Sequence, residues 1–114
     1  MGLTDFLKSL VGSTGDRTIS FADLSTQLKA GAVTVVDVRE PNEFVTGTVP
    51  GAVNLPLSRF DASALPSGKP VVLICQVGGR SAKALHAALS AGRDDVCHYA
   101  GGMSGWRREG GPVA

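Results

Sequence analysis

The stretch "VVLICQVGGRSAKALHAAL", residues 71–89, predicts a buried strand, a tight loop and a helix in succession. Its first four residues are aliphatic with no polar alternation, as expected of a strand that is covered on both faces. Two glycines precede Arg80, and an alanine-rich helix is predicted over 81–91, with a glycine at its end. Cys75 therefore lies where a strand leads through a loop into a helix, the place where parallel α/β sheets bind ligands.

Strand and helix signals alternate along most of the chain. The segment 33–38, "VTVVDV", predicts a second buried strand, and 21–30 predicts a helix with Ser20 as its N-cap. The weaker signals are an extended piece from Ile19, helical turns at 41–45 and 57–60, strands at 52–55 and 95–100, and a short final helix. This order predicts an α/β fold, a three-layer sandwich with a small parallel sheet of about five strands and helices on both faces.

Composition favours one small globular domain. The chain has 114 residues, of which 43% are hydrophobic and 18% charged, and its net charge is only +1. This balance offers no broad electrostatic attraction to nucleic acid or anionic lipid. The two cysteines lie 22 positions apart, with no CxxC pair and no His/Cys cluster, so neither a disulfide framework nor a metal site is expected. No cofactor is indicated, and a cytoplasmic location is the default expectation.

The amino terminus forms a separate unit in the sequence pattern. Residues 1–11 carry apolar side chains at helical spacing, and "GSTGD" at 12–16 predicts a hinge. The helix is too short to span a membrane and lacks the features of a signal peptide. Two interpretations remain open: the apolar stripe packs on the domain, or it docks a partner, a membrane surface or a second copy. The expected boundaries are thus 1–16, a domain over 17–110, and a tail at 111–114.

The loop after Cys75 has the elements of a thiolate site. If residues 76–81 curl around the sulfur, as Gly78 and Gly79 permit, their backbone N–H groups surround it with donors. The following helix dipole and the guanidinium of Arg80 add positive potential. Such a site lowers the pKa of a cysteine and makes it a nucleophile without a histidine base. The alternative is that Cys75 is an ordinary buried strand residue and the glycines only form a turn.

Three motifs, in order, resemble the rhodanese family of sulfurtransferases. "CQVGGRS" matches the family's active-site pattern, in which arginine follows cysteine at the fifth position and glycine lies between them. "DVREPNEFVTGTVPGAVNLP" and "YAGGMSGW" are similar to the family's flanking segments, so the resemblance covers about residues 18–110. Thr48 departs from the pattern, because the family commonly has histidine at this position.

The resemblance implies a catalytic role for Cys75 and a mechanism. The thiolate takes a sulfane sulfur from thiosulfate or a persulfide, becomes a persulfide, and passes the sulfur to a thiol or to cyanide. A protein is a possible donor or acceptor. Arg80 would act on substrate charge and loop rigidity, and Ser81 would either cap the helix or supply a hydroxyl. The substrate-binding residues implied are Gln76, Val77, Gly78, Gly79, Arg80 and Ser81.

Three rival functions remain open. Phosphatases and arsenate reductases of related shape place five residues between cysteine and arginine, whereas this loop has four, which makes a narrower ring. A regulatory binding module would typically lack the cysteine that is present here. A persulfide carrier would load Cys75 from one protein and deliver the sulfur to another, without turning over small molecules.

Other polar and reactive residues have simpler interpretations. Asp37, Arg39 and Glu43 suggest either an acid–base group or, as we favour, a charge network that pins the loops. Cys97 is expected in the core, with a resolving thiol as the alternative. Neither histidine has a neighbour in the sequence pattern that would make it a metal ligand or a base: His86 is expected on a helix surface, and His98 on the opposite strand face from Cys97 and Tyr99.

The final helix carries the remaining candidates. Met103 and Trp106 are expected to close one rim of the site while packing this helix. Arg107 and Arg108 either lie at a solvated helix end or gather an anionic substrate or a partner.

Overall fold

A small parallel sheet forms the centre of the computed structural model, which describes residues 17–114. Its strands are β1 (Thr34–Asp37), β2 (Val53–Asn54), β3 (Val71–Ile74) and β4 (Val96–His98), paired in the order β2-β1-β3-β4. The pairing sets Asp37 beside Ile74 and Leu73 beside His98. The carboxyl ends of β1, β3 and β4 therefore meet at one edge of the sheet, where Cys75 follows β3.

Four strands are found within residues 17–114, so the prediction of about five is corrected. The extended piece near Ile19 makes a single bridge, in which Thr18 pairs with His98. It cannot lengthen into a strand because Ser20 already caps the next helix, accepting a hydrogen bond from the Asp23 N–H at 3.1 Å. The predicted amphipathic helix and hinge at 1–16 lie outside the described residues.

Helices cover both faces of the sheet, as the sequence predicts. They are α1 (Phe21–Lys29), α2 (Pro41–Phe44), α3 (Gly79–Ser90) and α4 (Gly102–Arg108), with single 3-10 turns at Leu57–Arg59 and Ala62–Ala64. None of the helices in residues 17–114 is long and apolar enough to cross a lipid bilayer.

Two apolar clusters show the three layers. Val72 and Ile74 of β3 pack with residues of α1 and α4, whereas Val71, Leu73 and the following Cys75 pack with residues of α3. This alternation follows from the two-residue period of a strand. It confirms the α/β sandwich and places the Cys75 side chain in the layer between the sheet and α3.

The last residues of the chain lie against the domain. The indole N–H of Trp106 donates to the carbonyl oxygen of Pro112 at 2.7 Å. The backbone N–H of Ala114 donates to the carbonyl of Thr48 at 2.9 Å. The segment 111–114 thereby supports the loop that carries Thr48.

Candidate active site

The loop after β3 curls around the sulfur of Cys75. The backbone N–H groups of Gly78 and Ser81 donate to Sγ at 3.1 and 3.2 Å. Gly78 has φ of 100°, a left-handed conformation that favours glycine, and it is the N-cap of α3. The converging donors that the glycine pair predicts are therefore present.

These hydrogen bonds affect the pKa of the Cys75 thiol. Burial raises the pKa of the Cys75 thiol, since residue 75 is 1% exposed. The hydrogen bond between Cys75 and the Ser81 hydroxyl, together with those from the N–H groups of Ser81, Gly78 and Val77, outweighs burial, so that the pKa of Cys75 lies below its ordinary value. The N-terminus of α3 acts in the same direction. The sulfur is thus prepared as an anion and a nucleophile.

Arg80 forms an ion pair with Glu43. Its Nη1 and Nη2 lie 2.6 and 2.8 Å from the two carboxylate oxygens, an arrangement in which both groups are about one-third exposed. The hydrogen bond from Arg80 lowers the pKa of Glu43 to about 2, although burial opposes it. This pair ties α2 to the loop beside Cys75, so the favoured charge-network interpretation of Glu43 is confirmed, with Arg80 as its partner.

A second, buried pair braces the same loop from the sheet. Arg39 Nη2 lies 2.7 Å from Asp37 Oδ2, and these residues are 2% and 0% exposed. Arg39 Nη1 donates to Gln76 Oε1 at 3.2 Å, so the Gln76 side chain is held by the network. Thr48, where the family commonly has histidine, donates its hydroxyl to Asp37 Oδ2 at 2.8 Å. The network therefore links β1 to the loop, and these contacts favour the charge-network interpretation of Asp37 and Arg39.

The start of α4 fixes the loop from its other side. The N–H groups of Met103 and Ser104 donate to the carbonyls of Cys75 and Gln76 at 2.8 and 3.1 Å. The side chains of Met103 and Trp106 are 0% and 1% exposed and belong to the cluster on the opposite side of the sheet from Cys75. The prediction that they pack the final helix is confirmed, whereas the prediction that they also close a rim of the site is wrong, because both side chains lie within that cluster. Of these two residues, Met103 contacts the loop, through its backbone N–H.

Ser81 and His98 form a feature that sequence reasoning missed. Because α3 begins at Gly79, Ser81 lies inside its first turn and is not its N-cap. The Ser81 hydroxyl oxygen lies 3.5 Å from Cys75 Sγ and 2.9 Å from His98 Nδ1. His98 does point away from the face of Cys97, as predicted, but α3 covers that face and the residue is buried. The alternation of side chains along β4 predicts on which face of the sheet His98 lies, but not that α3 covers this face.

Cys97 and His86 lie where the sequence predicts, whereas α3 begins earlier than expected. Gly79 is the first residue of α3, two positions before the predicted start at Ser81, so the loop is shorter than the predicted 76–81. Val77 is 72% exposed at the outside of the loop. Cys97 is a core residue, and burial raises the pKa of its thiol to about 12, which opposes a role as a resolving thiolate. His86 is exposed on α3. In residues 17–114 no group of three His, Cys, Asp or Glu side chains is arranged to hold a metal ion.

Comparison with known sequences identifies relatives across this whole region. The sequence model of the rhodanese-like domain matches residues 20–109. The human thiosulfate:glutathione sulfurtransferase is 33% identical over 108 residues, which cover 81% of this chain and 94% of that protein. An uncharacterized protein of Synechocystis is 43% identical over 98 residues, but these represent 84% of this chain and only 55% of that protein. A sulfurtransferase of Allochromatium vinosum is 34% identical and covers 71% of this chain.

Solved structures agree. A rhodanese-related protein from Thermoplasma volcanium superposes with a TM-score of 0.76 at 38% identity, covering 86% of this chain and 97% of that one. The human single-domain sulfurtransferase superposes with a TM-score of 0.72 at 30% identity, covering 83% of this chain and 98% of its own. The structural likeness therefore covers more than four-fifths of this chain.

Proposed function

The chain belongs to the rhodanese-like domain family, and from this premise we propose that it is a sulfurtransferase that carries a sulfane sulfur as a persulfide on Cys75. The observation that carries the proposal is the pair of backbone N–H groups, from Gly78 and Ser81, within 3.2 Å of the sulfur. They stabilise a thiolate before reaction, and the same donors remain beside the sulfur when it is loaded.

In the first step the Cys75 thiolate attacks the outer sulfur of thiosulfate or of a persulfide. A new S–S bond forms, the donor's own S–S bond breaks, and sulfite or a thiolate leaves with the bonding electrons. In the second step cyanide, or a thiol that has lost its proton to solvent, attacks the outer sulfur of the Cys75 persulfide and forms a new bond to it. The S–S bond to Cys75 breaks, and its electrons return to Cys75 as the thiolate, so the cycle needs no oxidant and no base.

The shape of the loop supports transfer of a single atom. Cys75 is 1% exposed, so a donor reaches Sγ only with a terminal atom that enters the loop. Four residues separate Cys75 from Arg80, one fewer than in the phosphatase loops considered above. We therefore propose a sulfane sulfur, rather than a phosphate, as the group that the loop accepts.

We propose that Arg80 contacts the sulfur donor while it remains paired with Glu43. Because the guanidinium is held by two carboxylate contacts, it approaches the loop as part of a nearly neutral pair. Its proposed role is to keep the loop rigid and to offer a fixed donor to an anionic leaving group. Val77, the most exposed side chain of the loop, is the proposed first contact of the donor's remainder.

A reducing, cytoplasmic setting suits this chemistry, since both cysteines of the chain are free thiols in the structure. A steady-state assay with thiosulfate and cyanide tests the proposal. We expect parallel double-reciprocal lines, one sulfite released for each thiocyanate formed, and sulfite release in the absence of cyanide on the first turnover. Intersecting lines, with sulfite released only when cyanide is present, would contradict a persulfide intermediate.

A further inference from the structure

Three buried side chains stand in series behind the sulfur of Cys75. His98, at the end of β4, is 7% exposed, and Ser81 in the first turn of α3 is fully buried. His98 Nδ1 lies 2.9 Å from Ser81 Oγ, which lies 3.5 Å from Cys75 Sγ. The His98 imidazole therefore contacts the Ser81 hydroxyl, which in turn contacts the Cys75 sulfur.

The hydroxyl of Ser81 has only one proton to give. Besides Cys75 Sγ and His98 Nδ1, its oxygen lies 3.2 Å from the Gly78 carbonyl, which can only accept. If Nδ1 of His98 carries no proton, it accepts the Ser81 proton and the hydroxyl donates nothing to the sulfur. If Nδ1 carries a proton, it donates to Ser81 Oγ, and the Ser81 proton is available to the thiolate, which attracts it more strongly than a neutral carbonyl.

We propose that His98 is a positioning residue that holds a proton on Nδ1 towards Ser81 and thereby directs the Ser81 hydroxyl proton to the sulfur of Cys75. The inference rests on the proposed function in that Cys75 is the nucleophile. The added donor stabilises the thiolate before attack. It also assists the return step, in which Cys75 leaves the persulfide as a thiolate, so both half-reactions use the same contact.

Charged groups on the neighbouring elements also act on this cluster. Arg80 of α3 interacts electrostatically with Cys75, and Arg80 is itself paired with Glu43 of α2 and influenced by Glu40. On β4, the neighbouring Cys97 thiol is held neutral by burial. Because the variants below leave these groups in place, a change in the ionisation of Cys75 reports on the contact between His98 and Ser81.

The first measurement is the rate of iodoacetamide alkylation of Cys75 against pH, followed by intact mass. Ser81→Ala and His98→Leu should each raise the midpoint by about one pH unit, because each removes the hydroxyl's hydrogen bond to the thiolate. His98→Asn, which puts an amide nitrogen near the place of Nδ1, should return the midpoint to within about 0.3 unit of the wild type. In the double variant, His98→Leu should add no further shift to Ser81→Ala.

The second measurement uses the wild-type protein, so it still tests the proposal if His98→Leu fails to fold. A long-range proton–nitrogen NMR spectrum of the imidazoles should show that Nδ1 of His98 is protonated. An unprotonated Nδ1, or a His98→Leu protein that folds and keeps the wild-type midpoint, would overturn the proposal. Neither measurement uses a sulfur donor, so this inference and the proposed sulfur transfer fail separately.

Discussion

Gly78 lies so close to Ala100 that a β-carbon at position 78 would stand 2.3 Å from the Ala100 carbonyl oxygen. The same glycine has φ of 100° and donates its N–H to Cys75 Sγ at 3.1 Å. A single residue therefore joins the loop around the sulfur to the turn after β4. Both the backbone conformation and the contact require that it have no side chain.

Replacing Gly78 with alanine should damage the site, and Gly79 offers a matched control. Gly78→Ala must relieve a backbone clash and a positive φ, so we expect a loss of at least about 1–3 kcal/mol in the free energy of unfolding and a loss of sulfur loading. A β-carbon on Gly79 meets nothing within 4 Å, so Gly79→Ala should fold at least as well as the wild type. Urea denaturation and intact mass measure both; equal behaviour of the two variants would contradict the account.

Removing the carboxylate of Asp37 should be strongly destabilising. Arg39 is 2% exposed and its guanidinium depends on Asp37, so Asp37→Ala leaves a buried charge without its partner. We expect a loss of about 3–5 kcal/mol in urea denaturation. Glu109→Gln, which changes an exposed carboxylate after α4, is the control and should leave the denaturation midpoint unchanged. A small effect of Asp37→Ala would show that the network does not support the loop.

The sequence was sufficient for the parts of the site that are local in the chain. Cys75, the glycine pair and the following helix are contiguous, so one apolar strand and one helix signal predict the loop, although the helix begins at Gly79 and not at Ser81. The layers also followed, because buried parallel strands are continuously apolar. A fifth strand is expected near Ile19 because the β-branched residues there favour extended structure. The structure has a single bridge instead, because Ser20 already caps the next helix.

The parts that could not be predicted depend on contacts distant in sequence. The partner of Glu43 lies 37 positions away, and that of His98 lies 17 away. A charge or an imidazole in a single sequence indicates a polar contact without naming its partner. Trp106 illustrates the converse: an aromatic residue after a glycine turn suits a site rim and a core equally well, and only packing against Phe21 and Tyr99 decides between them.

The pair formed by Glu43 and Arg80 should make stability depend on acid pH. The hydrogen bond from Arg80 lowers the pKa of Glu43 from 4.5 to about 2, so the pair is complete above about pH 4.5 and is lost as the pH falls towards 2. Glu43→Gln should therefore be less stable than the wild type near neutral pH, by no more than ~1 kcal/mol because both side chains are partly exposed. Urea denaturation of both proteins from about pH 7 down to pH 2.5 measures the difference. A difference that stays constant or widens in acid would contradict the pairing.

Deleting residues 1–16 should leave sulfur transfer intact. Within residues 17–114, groups such as Arg39, Glu43, His98 and Ser104 hold the loop. We expect the shortened protein to load and release sulfur at a rate within about twofold of the full chain. Its circular dichroism spectrum and thermal midpoint serve as the folding control. A folded but inactive protein would show that the amino-terminal segment takes part in the site.

The most direct test of the central claim is the intact mass of the protein after incubation with thiosulfate, and in parallel with glutathione persulfide. The wild type and Cys97→Ser should each gain one sulfur, about 32 Da, and should lose it when cyanide is added. Cys75→Ser, with a folded structure, should gain none. Sulfur that still loads on Cys75→Ser, or a wild type that takes up none from either donor, would contradict a persulfide on Cys75.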